Sequence, residues 1–122
     1  MQILIVTPEP AHWTAFSAGL ETAGLSPAFA KAPEDVTSQA LKMDRPLLVL
    51  WDAPYTGEGL RAAGIAVIMT DARIHQSACS DEAQETFHEK VEGLGFLPNV
   101  PLTRTASDAR ALADALAKVG AL

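Results

Sequence analysis

Residues Leu47–Trp51 form an unbroken apolar run, LLVLW, that stops at Asp52. A strand with one face in water would place polar residues at every second position, and this run has none. Such a run is typical of a strand that is buried on both faces, as the inner strands of a parallel sheet are. The feature therefore predicts an α/β domain in which helices cover both faces of a sheet.

The rest of the chain alternates between strand-like and helix-like segments, and the pattern predicts five of each. The expected strands are Gln2–Val6, Leu25–Ala30, Pro46–Trp51, Ile65–Met69 and Phe96–Leu102. The expected helices are Ala11–Ala23, Pro33–Leu41, Gly57–Ala63, Asp81–Glu92 and Ala106–Val119. The predicted fold is a doubly wound, five-stranded parallel sheet in a three-layer α/β/α arrangement, formed by one domain that spans residues 1–122.

Composition narrows the classes of partner and the compartment. The chain has 122 residues, 48% of them hydrophobic, and a net charge of -6. This charge disfavours nucleic acid and anionic membranes as direct partners. The single cysteine, Cys79, cannot form an internal disulfide, and the apolar start of the chain is too short for a signal peptide. A cytoplasmic protein is the expectation.

Four segments resemble, in order, the motifs of the response-regulator receiver domain, a CheY-like variant of the flavodoxin-like fold. They are ILIV-TPEP from Ile3, ALKMDRPLLVLWD from Ala40, GIAVIMTDA from Gly64 and GLGFLPNVPLT from Gly93. The resemblance implies that Asp52 stands at the phosphoacceptor position and Thr70 at the hydroxyl position that ends the fourth strand. It implies a role in two-component signal transduction or a phosphorelay.

The chain departs from the receiver pattern at the positions that handle the metal and the phosphate. Where the family has two carboxylates that hold Mg²⁺, this chain has Thr7 and Pro8, and Glu9 comes one position late. Where the family has a lysine after the fifth strand, it has Val100 or Asn99, depending on the register. The candidate pocket is therefore Asp52 with Glu9, Thr70, Val100 and Asn99, and no catalytic set is expected.

Two aromatic residues are candidates for a protein interface. Trp13 would lie at the edge of the first helix, where it either anchors a partner or folds over a neighbouring helix. Phe96 stands where receivers often have a switch tyrosine. The last helix offers a further surface through which a homodimer could form.

The leading hypothesis is an atypical receiver, or pseudo-receiver, that is not an enzyme and signals through protein contacts. Its partner would be a histidine kinase, a phosphotransfer protein or a regulator, and it would need no cofactor. The first alternative is a working phosphoacceptor in which Glu9 and Asp52 hold Mg²⁺ and Arg104 assists. The second is a flavodoxin-like domain that binds a small ligand, although Thr7–His12 lacks a glycine-rich phosphate cradle.

Overall fold

A computed structural model describes residues 1–122 and shows a parallel α/β fold built on four strands. The strands are β1 (Gln2–Val6), β2 (Ser26–Ala30), β3 (Leu47–Trp51) and β4 (His75–Ala78). Their order across the sheet is β2-β1-β3-β4, and each pair of neighbours is parallel. In the register of the two central strands, Val6 lies beside Trp51, so Thr7 and Asp52 both follow at the carboxyl edge.

Five α-helices cover the two faces of the sheet. They are α1 (Thr14–Thr22), α2 (Val36–Leu41), α3 (Gly57–Thr70), α4 (Gln84–Lys90) and α5 (Ala106–Lys118), and short 3-10 turns precede α1 and α2. Helices α1 and α5 pack on the face that contains Ile3, Ile5, Leu48 and Leu50. Helices α2, α3 and α4 pack on the face that contains Leu4, Val6, Val49 and Trp51. The central strands are thus buried on both sides, as their composition predicts.

The expected strand Ile65–Met69 is wrong, because these residues lie in the second half of α3. Their β-branched composition is typical of a strand. However, Leu60, Gly64 and Val67 recur at helical spacing and are buried, whereas Ile65 and Met69 are exposed. The segment is a helix that is apolar on both its inner and outer sides.

The true fourth strand, β4, has the sequence HQSA, which carries no apolar signal. It is nevertheless buried from Gln76 onwards because its polar side chains find partners. The Gln76 amide accepts a hydrogen bond from Trp51 Nε1 and donates one to the carbonyl of Gly64, both at 3.0 Å. The Ser77 hydroxyl donates to the carbonyl of Pro98 at 2.8 Å.

The fifth strand of the expected sheet is reduced to two isolated bridges. Gln76 pairs with Phe96 and Cys79 pairs with Val100, both in the parallel sense. Pro98 lies between the two bridges and Pro101 directly after them, and neither has an N–H to donate, which limits a continuous ladder. The chain therefore follows the path of a fifth strand beside β4, but the sheet has four strands and not five.

None of the helices has both the length and the apolar character that crossing a membrane requires.

Candidate functional site at the carboxyl edge of the sheet

Asp52 follows β3 directly and is buried, with 2% of its surface exposed. Its carboxylate accepts four hydrogen bonds, two on each oxygen. Oδ2 accepts from Thr7 Oγ1 at 2.6 Å and from Trp13 Nε1 at 3.1 Å. Oδ1 accepts from the backbone N–H of Ala53 at 2.6 Å and from Arg104 Nη2 at 2.8 Å. Since a carboxylate has about four lone-pair positions, its acceptor capacity is filled from within the chain.

Arg104 is the positive charge of this site and lies in the loop before α5. Besides its ion pair with Asp52, it donates through Nη1 to the carbonyl of Leu102 at 2.8 Å. Its φ of 47° is in the left-handed region that non-glycine residues rarely occupy. Thr105 and Asp108 form a capping box at the start of α5, which fixes the chain directly after Arg104. The loop geometry is therefore the one that brings a guanidinium back to the sheet edge.

Trp13 closes the site from the side of α1. It is fully buried and packs edge-to-face on Phe16, with ring centroids 5.1 Å apart. The guanidinium carbon of Arg104 lies 5.2 Å from the centre of its ring, a cation–π distance. The expectation that Trp13 is an exposed interface anchor is corrected: the indole N–H needs a partner when buried, and Asp52 supplies it.

The segment after β1 supplies a hydroxyl and no carboxylate. Thr7 is fully buried, and its Oγ1 both donates to Asp52 and accepts from the backbone N–H of Glu9 at 3.0 Å. The Glu9 side chain is exposed and pairs with His12 at 2.9 Å. The predicted pocket role of Glu9 does not match this placement, because its carboxylate turns to His12 and to solvent.

Of the two residues expected at the position of the family lysine, Val100 forms a bridge with Cys79 and is buried. The neighbouring Asn99 faces the loop after β4, where its amide donates to the carbonyls of Ser80 and Glu82. Val100 is thus part of the hydrophobic core, and Asn99 holds a loop.

Thr70 is not part of the site, which corrects the sequence prediction. It is the last residue of α3, and its hydroxyl donates to the carbonyl of Ala66. The neighbouring Asp71 pairs with Arg45, which lies just before β3 and therefore at the amino edge of the sheet. Cys79 and Ser80 follow β4 and take the place assigned to Thr70.

Phe96 is partly buried rather than free to anchor a partner. Its ring packs on Phe87 of α4 with centroids 6.0 Å apart, and it lies against Gly64 of α3. A Cβ built on Gly64 would approach the Phe96 ring to 3.1 Å, so the absence of a side chain there makes room for it. The ring is part of the packing between helices and sheet.

The electrostatics of the site keep Asp52 ionised. Burial alone raises the pKa of its carboxyl group, but the hydrogen bonds from Thr7, Arg104, Trp13 and Ala53 outweigh this and hold the pKa below its ordinary value. Close by, burial raises the pKa of the Cys79 thiol to about 11. Cys79 therefore stays protonated at neutral pH and is a poor nucleophile.

The site does not fit the Mg²⁺ that receiver domains use. A hard cation requires several oxygen ligands, but the nearby carboxylates have other partners: Glu9 pairs with His12, and Glu82 pairs with Lys90. Both oxygens of Asp52 already hold donors, one of them a guanidinium that would repel a divalent cation. Nowhere in the chain do three or more His, Cys, Asp or Glu side chains gather as a metal site.

Arg104 is the residue of this site that the sequence pattern does not single out. It lies 52 residues from Asp52 along the chain, and no local pattern links the two. One signal was available: a buried aspartate after β3 requires a positive partner, and Arg104 is the one cation between the fifth-strand segment and α5.

The fold is similar to that of response-regulator receiver domains among solved structures. No sequence-family model matches the chain, and no curated protein matches it. Among solved structures, the receiver domain of NtrC4 from Aquifex aeolicus is similar, with a TM-score of 0.70, 16% identity and coverage of 97% of this chain and 98% of that one.

Two further structures match over nearly their whole length. A Burkholderia thailandensis chain named for pilus assembly, CpaE, has a TM-score of 0.76 at 14% identity and covers 100% of this chain and 99% of its own. A protein described as an atypical orphan response regulator with a phosphorylation-independent regulatory mechanism has a TM-score of 0.73 at 13% identity, with 98% and 96% covered. At these identities the likeness shows the fold alone.

Proposed function

We propose that this chain is an atypical receiver that transmits signals through protein contacts, without Mg²⁺-dependent phosphorylation of Asp52. One observation carries the proposal: the carboxylate of Asp52 is fully hydrogen-bonded inside the chain and is paired with Arg104. The module is a binding domain in this view and not an enzyme.

A phosphoacceptor must offer a free lone pair on its carboxylate. Transfer to an aspartate requires one carboxylate oxygen to attack phosphorus while cations stabilise the charge on the phosphoryl group. Here each oxygen of Asp52 already accepts two hydrogen bonds. Attack would require removal of Thr7 and Trp13 from Oδ2, or of Ala53 and Arg104 from Oδ1. The cost of exposing a buried, unpaired charge opposes both routes.

The ion pair between Asp52 and Arg104 holds the site together from within the chain, without a bound ligand. Arg104 links Asp52 at the sheet edge to the loop before α5, and Trp13 links it to α1. The site is therefore held closed by residues of the chain itself. Among the structural neighbours, the orphan regulator is described as phosphorylation-independent, which is consistent with this interpretation.

The proposed partner is another protein of a two-component type of pathway: a histidine kinase, a phosphotransfer protein or a regulator. With a net charge of -6, the chain favours a partner with a basic surface over nucleic acid or an anionic membrane. Because Trp13 is buried and the Phe96 ring packs on Phe87, we expect the contact surface to be formed by other residues.

The test is NMR titration of the isotope-labelled chain with Mg²⁺ alone, then with Mg²⁺ and beryllofluoride, and finally with acetyl phosphate. The indole N–H of Trp13 reports directly on Asp52, and Trp13→Phe identifies its signal against that of Trp51. We expect no saturable shift at this indole and no covalent phosphate in the intact mass. Saturable shifts that vanish in Asp52→Asn would overturn the proposal.

The same titration decides the phosphoacceptor alternative, which keeps Asp52 and Arg104 but has lost Glu9 from the pocket. The flavodoxin-like alternative has its own test. If the chain bound a flavin tightly, the protein purified under native conditions would show absorption near the flavin maximum, and we expect none.

A further inference from the structure

The outer face of α3 is apolar, although it faces solvent. Ala62, Ile65, Ala66 and Met69 are spaced along one side of the helix and are all exposed; Ile65 retains 43% of its accessible surface and Met69 81%. The opposite side of the same helix is buried in the core. A surface helix of a globular protein ordinarily presents charged and polar residues on its outer side.

A further exposed apolar residue lies on α2, whose end is linked to the end of α3. Arg45 joins the ends of the two helices, because its Nη1 donates to the carbonyl of Ala40 in α2 and its Nε donates to Asp71 just after α3. Leu41, which follows Ala40, is 66% exposed. We call this set of exposed residues the α3 patch: Leu41, Ala62, Ile65, Ala66 and Met69.

Helices α4 and α5 lack such a face. The outer side of α5 carries Arg110, Asp114 and Lys118, and that of α4 carries Glu85 and Glu89, all of them exposed. Charged residues of this kind solvate a helix. The expectation of a dimer through the last helix therefore has less support from composition than a contact through α3.

The α3 patch is complementary to itself. If two α3 helices cross in an antiparallel sense about a two-fold axis between Ile65 and Ala66, Ile65 meets Ala66 of the second copy, and Met69 meets Ala62. Each large side chain then faces a small one, which lets two helices approach closely. An isologous contact of this kind uses the same patch on both copies.

The charges at the ends of α3 agree with the same arrangement. Glu58 is exposed in the first turn of the helix, and Arg73 is exposed three residues after the helix ends at Thr70. Arg73 and Arg45 share the single carboxylate of Asp71, so this end of the helix keeps a net positive charge. The two-fold axis brings Glu58 of each copy towards Arg73 of the other, so opposite charges approach at both ends of the contact. A parallel crossing would instead place like ends together.

We propose that two copies of this chain associate through their α3 patches as an antiparallel, two-fold symmetric dimer. The inference is independent of the state of Asp52, which lies at the other edge of the sheet from Met69 and Asp71. Because one helix face buries less than a standard interface, the dimer is expected to be weak, with a Kd of about 10–100 μM.

The first experiment is sedimentation equilibrium of the full chain from about 5 μM to about 1 mM, which spans this range. We expect a monomer–dimer equilibrium that Met69→Lys weakens by about tenfold or more. Ala117→Lys, an exposed alanine on the outer side of α5, is the matched control and should leave Kd unchanged. Circular dichroism confirms that both variants fold. A monomer throughout the range, or a dimer indifferent to Met69→Lys, would refute the proposal.

The second experiment tests the register and separates α3 from α5. Ala66→Cys places a thiol beside the two-fold axis, and Ala117→Cys places one on α5; the native Cys79 is buried and gives a low background. Under mild oxidation we expect the Ala66→Cys variant to form a disulfide-linked dimer much faster than the Ala117→Cys variant. Faster cross-linking of the Ala117→Cys variant would contradict the α3 contact and favour one through α5.

Discussion

The guanidinium of Arg104 donates to the carboxylate of Asp52 at 2.8 Å across 52 residues of sequence. Arg104 holds a left-handed backbone conformation, which costs a non-glycine residue about 1–2 kcal/mol. The ion pair, its cation–π contact with Trp13 and the carbonyl of Leu102 must together outweigh that cost. The pair therefore couples the sheet edge to the loop before α5.

Removing the cation should destabilise the fold. Arg104→Gln leaves Asp52 buried with three neutral donors and no counter-charge, and we expect the free energy of unfolding to fall by about 2–4 kcal/mol. Urea denaturation measures this. Arg110→Gln on the exposed side of α5 should change stability by less than about 0.5 kcal/mol. Equal effects of the two substitutions would show that the Arg104 pair contributes no more than an ordinary surface arginine.

The lowered pKa of Asp52 makes a specific contribution to acid sensitivity. Because the pKa is lower in the folded chain than in the unfolded one, the stabilisation is fully present above the unfolded value of about 3.9 and is lost as the pH falls through the folded value. We expect the stability difference between the native chain and Asp52→Asn to shrink as the pH falls from about 6 to about 2. Other acids with lowered pKa values, such as Asp71, act equally in both proteins. Parallel stability curves would contradict the assignment.

The Thr7 hydroxyl has two partners, and its loss should cost more than its size suggests. Thr7→Val removes the donor to Asp52 Oδ2 and the acceptor for the Glu9 N–H while keeping the shape. We expect a loss of about 1–3 kcal/mol in the free energy of unfolding. Thr22→Val removes an exposed hydroxyl that bonds to Ala18 and should be close to neutral. A Thr7→Val protein as stable as Thr22→Val would mean that water replaces the hydroxyl.

The sequence identified the parts of the fold whose residues alternate or run apolar in the expected way. β1, β3 and α5 lie within a residue of their predicted bounds, and Asp52 lies at the sheet edge as expected. It failed at α3 because a β-branched helix with an apolar outer face has the composition of a strand. It failed at β4 because burial there depends on hydrogen bonds between side chains that are distant in sequence.

Only part of the site could be predicted, because contacts between residues distant in sequence leave no local pattern. The resemblance placed Asp52, and the missing carboxylates at Thr7 and Pro8 were visible in the sequence. What replaces them was not visible, because Trp13 and Arg104 reach Asp52 only through the tertiary path of the chain. Local patterns report periodicity, and they do not report which distant donor meets which acceptor.

The polar network in β4 offers a direct test of this point. Gln76→Leu keeps the approximate volume but leaves the Trp51 indole N–H and the Gly64 carbonyl without partners in the core. We expect a loss of about 2–4 kcal/mol in the free energy of unfolding, although the substitution makes β4 more apolar. Gln39→Leu is the comparison. It removes one hydrogen bond, from the Gln39 side-chain amide to the Phe29 carbonyl near the surface, and should cost less stability. A stabilised Gln76→Leu protein would show that apolar packing outweighs the network.

Two glycine-to-alanine substitutions within helices should act in opposite directions. A Cβ on Gly19 of α1 would lie 2.8 Å from the Cα and the carbonyl oxygen of Ala106 and 2.9 Å from the Cβ of Ala109, so α1 and α5 would have to move apart. We expect Gly19→Ala to lower the free energy of unfolding by about 1–3 kcal/mol despite the better helix propensity of alanine. A Cβ on Gly59 of α3 meets nothing within 4 Å, so Gly59→Ala should raise it by about 0.5–1 kcal/mol. Urea denaturation of both variants at low protein concentration measures the two signs. Stabilisation by Gly19→Ala would show that the close approach of α1 and α5 relaxes at little cost.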